Sequence, residues 1–480
     1  MRAFDTDAGL TRALTRTALA LVLASSVVAL TGCATLRATI HGYERGPDGI
    51  TRVQQRLRDA LARGDFATAL SWREDDELLR ALTRATSAYY ASQFQRAGVL
   101  LDSAALLADD RITASLSRDA LALVTSDVAR PYQPSATERL LIAYYGMLAY
   151  ARLESWEDAA VEARRTVALL AQRDNDRDAD EQPLHAALEH LAGAVFERAG
   201  RADEAQVAYR AAHRMLDASP ESRPRLAAGE GEVLVVLERG FVAHRVTEQI
   251  NVFFGDADAN SGDTVRRGGH RRGDSRIMES IGHVWAPGGR DDDSDDGDTT
   301  RAVRRRRHDD EDGGYWLAVA FPALRRSARP SREAIRLTVE GSSAEPVRIA
   351  TVLDDAAAVD ERRNRVAVMA RAMARASAKY AITKAVKDKK GETAGKLANM
   401  GVGLLERADV RSWHLLPQEV QLFRQHVPAG SRTLRLEVAD AAGMPRVVEL
   451  GQVTVRAGEV TIVPYRLWRD EPSVPLVAAR

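Results

Sequence analysis

Near residue 229 the spacing of apolar residues changes, and the two sides of that point must build different kinds of structure. From about 51 to 218 apolar residues recur at helical intervals, and Pro occurs only at positions 131, 134 and 183, where helices would begin or end. Beyond it, Glu232-Val233-Leu234-Val235-Val236-Leu237-Glu238 is a short apolar run bounded by charge, the signature of a strand. The expected fold class is therefore α+β and multidomain, an all-α amino-terminal half followed by a mixed domain of helices and antiparallel strands. With 480 residues the chain exceeds what one hydrophobic core fills, in keeping with more than one domain.

A short theme recurs in the helical half: Gly64-Asp65-Phe66-Ala67-Thr68-Ala69, Gln93-Phe94-Gln95-Arg96-Ala97, Ser155-Trp156-Glu157-Asp158-Ala159 and Gly200-Arg201-Ala202-Asp203-Glu204-Ala205. Each reads as a turn leading into a helix, in which Gly or a polar residue closes the turn and an aromatic fills the gap between helices. Ala then lets two backbones approach. The theme resembles tetratricopeptide-type hairpins, so residues 51–228 are expected to form a TPR-like solenoid. Its spacings, about 28, 62 and 46 residues, depart from the steady repeat of about 34 in that family.

The mixed domain is expected over 229–470. Strands are predicted at Tyr315 to Phe321, within Ile335 to Val352, at Leu434 to Val438, Val447 to Val455 and Val460 to Tyr465, the last three forming a small β-sandwich-type end. Between them, Asp354 to about Lys387 predicts a long helix with Val366, Met369, Ala370 and Met373 on one face, and Glu392 to Glu406 a second helix. The charged insert at 256–313 holds Arg266-Arg267-Gly268-Gly269, the acidic run Asp291 to Asp298 and Arg304 to Arg307. Its few apolar groups do not offset the entropy of ordering it, so disorder is expected there; residues 471–480 form a tail.

Cysteine usage points to a compartment. The one cysteine, Cys33, excludes an intramolecular disulfide and a cysteine metal cluster. It follows a charged start (Arg2, Arg12, Arg16), an apolar stretch from Ala18 to Leu30, and Leu30-Thr31-Gly32. That order predicts an export signal over 1–32, cleavage between Gly32 and Cys33, lipid on the Cys33 sulfur, and a tether over 33–50. The apolar stretch is too short for the roughly 20 residues that span a bilayer. Ala34, where inner-membrane lipoproteins commonly carry Asp, points to the outer membrane and a periplasmic location. The chain has 68 basic and 68 acidic residues; the signal carries three Arg and two Asp, leaving 65 against 66, so nucleic acid is not an expected partner.

Motifs for chemistry are missing. There is no Gly-x-Ser-x-Gly, phosphate-binding loop or His-Glu-x-x-His, so no catalytic residue, cofactor or metal is expected and the chain is read as a non-enzyme. His185 and His190 stand five residues apart, about 140° around a helix, too far to share an ion. Gly229-Glu230-Gly231 precedes a strand and reads as a turn; Asp75-Asp76 and Asp354-Asp355 sit where carboxylates suit a helix start. Tyr89, Tyr90, Tyr144 and Tyr145 are candidates for a partner-binding groove, with inter-helix packing the competing role. Arg164 and Arg165 could clamp a carboxylate beside that groove, or simply be solvated. Trp413 reads as a structural anchor between the last strands and the helices.

Three stretches, Glu138-Arg139-Leu140-Leu141 through Arg164-Arg165, Arg375-Ala376-Ser377-Ala378-Lys379-Tyr380, and Ala408-Asp409-Val410-Arg411-Ser412-Trp413-His414-Leu415-Leu416-Pro417, resemble an uncharacterised family of bacterial lipoproteins with TPR-like amino-terminal halves. The resemblance implies the architecture and an envelope location, and brings no catalytic residues with it. The expected function is a lipid-anchored periplasmic scaffold or adaptor, held to the membrane by lipid and bound to an envelope protein. Regulation of a peptidoglycan synthase, or binding and hydrolysis of cell wall, are the alternatives.

Overall fold

The computed structural model of the protein describes residues 50–118, 130–173, 178–216, 226–254, 315–326, 335–343, 346–390, 408–439 and 444–468. The export signal, Cys33 and the tether, the insert at 256–313, the helix expected over 392–406 and the tail at 471–480 lie outside those residues.

Helices fill the first half: α1 (Arg52–Ala62), α2 (Phe66–Leu70), α3 (Glu77–Tyr90), α4 (Phe94–Arg118), α5 (Ala136–Arg152), α6 (Trp156–Ala171), α7 (Gln182–Arg198) and α8 (Ala202–Met215). Their starts are set by side chains that take up orphan backbone donors. Thr51 and Gln54 form a capping box, Asp76 accepts from the N–H groups of Leu78 and Leu79, and Ser135 and Glu138 form a second box at α5. Four helix ends share one turn. A residue with left-handed φ follows the helix at Gly64 (75°), Ser92 (60°), Glu154 (54°) and Gly200 (73°). The next N–H then reaches back to the carbonyl five residues earlier: Asp65 to Ala60, Gln93 to Ala88, Ser155 to Tyr150 and Arg201 to Phe196. The recurring theme in the sequence is this turn.

The hairpins α3/α4, α5/α6 and α7/α8 stack side by side, with α3, α5 and α7 touching as an inner row and α4, α6 and α8 outside. Small residues set the spacing within hairpins. A Cβ at Gly146 of α5 would lie 2.8 Å from Glu162 Cγ on α6, and one at Gly193 of α7 would lie 2.6 Å from the Tyr209 ring on α8.

Strands follow: β1 (Glu230–Arg239), β2 (His244–Phe254), β3 (Tyr315–Arg325), β4 (Arg336–Val339), β5 (Val347–Val352), then α9 (Leu353–Lys390), β6 (Glu419–Pro428), β7 (Gly430–Ala439), β8 (Pro445–Val455) and β9 (Val460–Leu467). They make a four-stranded sheet ordered β5-β6-β1-β9, a three-stranded sheet β4-β7-β8 and the hairpin β2-β3. In the large sheet β1 runs antiparallel to β6 and parallel to β9. The sandwich is therefore larger than the three-stranded end expected from sequence, and its central strand β6 was not anticipated. The chain is α+β, with helices before strands.

Two cores meet at β1. Val233, Val235 and Leu237 join Phe423, Val427, Leu434, Leu436 and Tyr465 between the two sheets. Leu234 and Val236, on the opposite row, join Leu422, Ile349, Trp413 and Leu415 in a cluster continuous with the helices. The sheet thus lies on the inner row of helices, with α7 against β5 and β9. Helix α9 covers β3 with Leu353, Ala356, Val359, Ala372 and Ala376 buried; of the expected face Met373 packs against Val319 and Ala372 and Met369 is half-buried, whereas Val366 is 79% exposed and Ala370 is exposed. A helix rich in Ala and Val permits several faces; contact with β3 selects one that keeps Met373 and turns Val366 and Ala370 outward.

Candidate binding cleft and the polar seam beside it

The row of β1 that faces the helices carries a charge at each end, Glu232 and Glu238, both 1% exposed. Burying a carboxylate costs several kcal/mol unless it is paired and hydrogen-bonded. Both are. Glu238 Oε2 accepts from Tyr90 Oη at 2.7 Å, and its Oε1 accepts from Tyr144 Oη at 3.0 Å and Tyr145 Oη at 2.9 Å. Arg466 on β9 lies 3.9 Å from the same carboxylate, donates to Tyr90 Oη at 3.1 Å and stacks 4.6 Å from the Trp468 ring centroid. At the other end, Arg424 of β6 grips Glu232 with two bonds of 3.0 and 2.6 Å and reaches Glu197 at 3.0 Å and Tyr209 Oη at 2.6 Å.

These contacts correct one expectation. Tyr89, Tyr90, Tyr144 and Tyr145 are each at most 2% exposed, so they present nothing to a partner; the chain's own sheet occupies the groove they line. Burial first, together with the nearby Glu238 carboxylate, holds all four hydroxyls well above the ordinary tyrosine pKa; Tyr90, Tyr144 and Tyr145 donate to that carboxylate, and Tyr89 Oη has no partner among the described residues. Arg164 and Arg165 are elsewhere, on the outer row: Arg164 pairs with Glu204 at 2.8 Å and Arg165 with Asp109 at 2.9 Å, far from a clamp beside those rings. The residues that sequence reading missed are the sheet-side charges Glu238, Arg466, Glu232 and Arg424. The signal was present: both rows of β1 are apolar, which marks a strand covered on both faces.

Trp413 does anchor the two halves. Its indole N–H donates to Thr86 Oγ1 at 3.0 Å, its backbone N–H donates to Glu138 Oε1 at 2.9 Å, and its ring lies against Tyr145. His185 and His190 are both buried in α7, not at its surface. Among the described residues no group of three or more His, Cys, Asp or Glu is placed to hold a metal ion, and no helix is long and apolar enough to cross a membrane. Asp76 caps α3 and Asp354 opens α9, where it accepts from Ala243 N–H at 2.6 Å and Gln418 Nε2 at 3.0 Å.

An open cleft of about 380 Å³ lies where the loop before α5, the middle of α9 and the β2-β3 hairpin meet. That size is within the roughly 300–1,000 Å³ of ordinary ligand pockets. Pro131, Tyr132, Pro134 and Arg139 form one wall, Asp360, Glu361, Arg365, Val368, Met369 and Arg371 the other, and Arg245 with Phe321 to Leu324 the base. The wall on α9 is fixed by charge: Asp360 accepts from the Thr137 N–H at 2.8 Å and from Arg173 at 3.2 Å, tying α9 to the start of α5. Glu361 accepts from Leu324 N–H at 3.0 Å, and burial pushes its carboxyl up. Arg245 donates to the Arg411 carbonyl at 3.1 Å; burial opposes its charge, but facing Tyr132, Glu138 and Asp409 outweigh that and raise its pKa. The described lining contains no His, Cys or Lys, so what the cleft offers is guanidinium groups, apolar surface and carboxylates already engaged by donors.

Comparison with known proteins adds little to this geometry. No family model matches the chain. No curated protein matches it either. A solved structure described as MamA MSR-1 C2 is 12% identical, over 34% of this chain and 95% of that one, with a TM-score of 0.15. At that score the likeness carries no argument.

Proposed function

We propose that this protein is a lipid-anchored interaction protein of the bacterial cell envelope, in which a TPR-like solenoid is closed along its inner face by the chain's own sheet and a partner protein is met at the cleft. The mature chain begins at Cys33, carries lipid there, and faces the periplasm from the outer membrane. The anchor rests on the order of charged start, apolar stretch, small residues and cysteine. The solenoid rests on the four equivalent turns and the two rows of helices.

The observation that carries the binding role is the cleft itself, a concavity assembled from three separate parts of the chain with its acidic side chains already held. Such a lining suits recognition: it offers shape, apolar contact and fixed charge. A photocrosslinking residue at Val368, expressed in intact cells, tests this directly. Reproducible capture of one envelope protein is the expected result, and a cleft that yields only what an outer-row position such as Val207 yields refutes it. Cys33→Ser tests the anchor: label from fatty acid and membrane fractionation should both be lost, and their persistence ends the envelope assignment.

A further inference from the structure

We infer that the cleft takes an acidic peptide segment, its carboxylates gripped by arginines and its apolar side chains laid on the floor. The inference rests on the reading that the cleft is the partner site, and it names the chemistry that site selects.

Five arginines line the cleft, Arg130, Arg139, Arg245, Arg365 and Arg371, against three carboxylates, Asp360, Glu361 and Asp409. Partners outside the lining act on both signs: two of the carboxylates are answered by arginines there, and Arg139 is answered by Asp109 at 3.1 Å. Asp360 is paired by Arg173, and Asp409 by Arg411 at 2.7 Å. Glu361 accepts from the Leu324 N–H and lies near Arg245 and Arg365, while burial pushes its carboxyl up. Arginines still outnumber carboxylates in the lining, in a chain whose net charge is +0.

Arg371 adds a specific sign of an absent acceptor. Its Nε is buried and has no hydrogen-bond partner among the described residues. A buried guanidinium N–H left unmade is costly, and a ligand oxygen that reached it would recover that cost. Arginine is also the side chain whose planar fork matches a carboxylate with two parallel bonds.

The rest of the lining selects among anions. Phe321, Val368 and Met369 present apolar surface, and Pro131, Pro134 and Pro322 have no N–H to offer. A free phosphate or a sugar phosphate would leave that surface wet, whereas a peptide alternating acidic and apolar side chains covers it while reaching the guanidinium groups.

The test uses the full chain and fluorescence anisotropy with a labelled peptide alternating Glu with Leu. A counterpart with Gln in place of Glu, inorganic phosphate and vesicles of phosphatidylglycerol are run beside it. The Glu peptide should bind at least about tenfold more tightly than the Gln peptide, and Arg371→Gln should weaken it by about tenfold. Arg365→Gln, half-exposed on the same helix, gives a second reading should Arg371→Gln fail to fold. Raising salt from about 50 to 500 mM should weaken binding, as expected for partly exposed charges. Equal affinity for the Glu and Gln peptides overturns the inference. So does displacement by phosphate, or binding to vesicles, that the two variants abolish while the Glu peptide stays unbound. If the crosslinker at Val368 captures a protein while the peptides show no charge preference, the inference falls and the site reading stands. If neither gives a signal, both fall.

Discussion

The charge pair at the junction of helices and sheet carries a large share of this protein's stability. Glu238→Gln would leave Arg466, 2% exposed, with its charge unanswered, and would give the three tyrosine hydroxyls an amide in place of a carboxylate. Removing one partner of a buried pair costs about 3–5 kcal/mol. Arg466→Met strands the carboxylate in turn, but three hydroxyl donors remain on it, so its cost should fall at the lower end, about 3 kcal/mol. The double variant removes both charges and keeps the volume, and about 3–4 kcal/mol in total is expected where the singles sum to about 6–8, a coupling of about 3–4 kcal/mol. Urea unfolding followed by tryptophan fluorescence reads this directly, since Trp468 lies 4.5 Å from the Tyr90 ring and Trp413 5.7 Å from Tyr145. The control is Arg164–Glu204, whose side chains are 41% and 36% exposed and whose cycle should give about 0–1 kcal/mol. A Glu238–Arg466 coupling no larger than that of the control would refute the claim that the two charges share one buried site.

Two buried groups make stability depend on pH with opposite signs. His414 is lowered from 6.5 to about 3, by burial first and then by Arg58; the unfolded chain binds this proton more readily. Its contribution is complete above pH ~6.5 and is lost as pH falls towards 3, up to about 5 kcal/mol, and His414→Gln should flatten that limb of a pH series of urea midpoints. Glu162, packed against Gly146, is raised by burial to about 7; here the folded chain binds the proton more readily. Its contribution is complete below the unfolded value near 4.5 and is lost as pH rises through 7, up to about 3 kcal/mol, so Glu162→Gln should gain most at pH 8 and nothing at pH 4. At the hairpin turns, Glu154→Gly should raise stability by about 1 kcal/mol, since Glu154 holds φ at 54° where two sister turns use Gly64 and Gly200; an unchanged or lower melting temperature counts against strain at that position.

What the sequence disclosed, and what it withheld, follows from the range of each interaction. Turns are local, so the theme at residues 64, 93, 155 and 200 was visible and corresponds to four turns with the same backbone hydrogen bonds. β1 and the long helix were visible for the same reason, as runs with one clear period. β6 was not, because Gln421, Arg424 and Gln425 interrupt its apolar residues and find their partners only in the folded chain, Arg424 with Glu232 from a distance of 192 positions. The tyrosine pairs were recognised as significant, but whether a ring faces a partner or the chain's own sheet depends on Glu238, 148 positions from Tyr90, and no local pattern carries that information.

The closure of the inner face decides where recognition can occur. An inner row open to a partner would show exposed side chains on one side, yet α5 and α7 bury nearly their whole lengths, one side against the outer helices and the other against the sheet. Its polar groups are spent on Glu238 and Arg424 rather than kept for a ligand. The outer row, by contrast, is laced by exposed pairs such as Arg164–Glu204 and Arg201–Glu157, with single exposed valines at 99, 161 and 207, the pattern of an ordinary solvated face. On the reading proposed above, a partner that needs enclosure is met at the cleft where the loop before α5, α9 and the β2-β3 hairpin converge. On that same reading, Asp360, which links the start of α5 to α9 there, would pass a shift of α9 on to the helical hairpins.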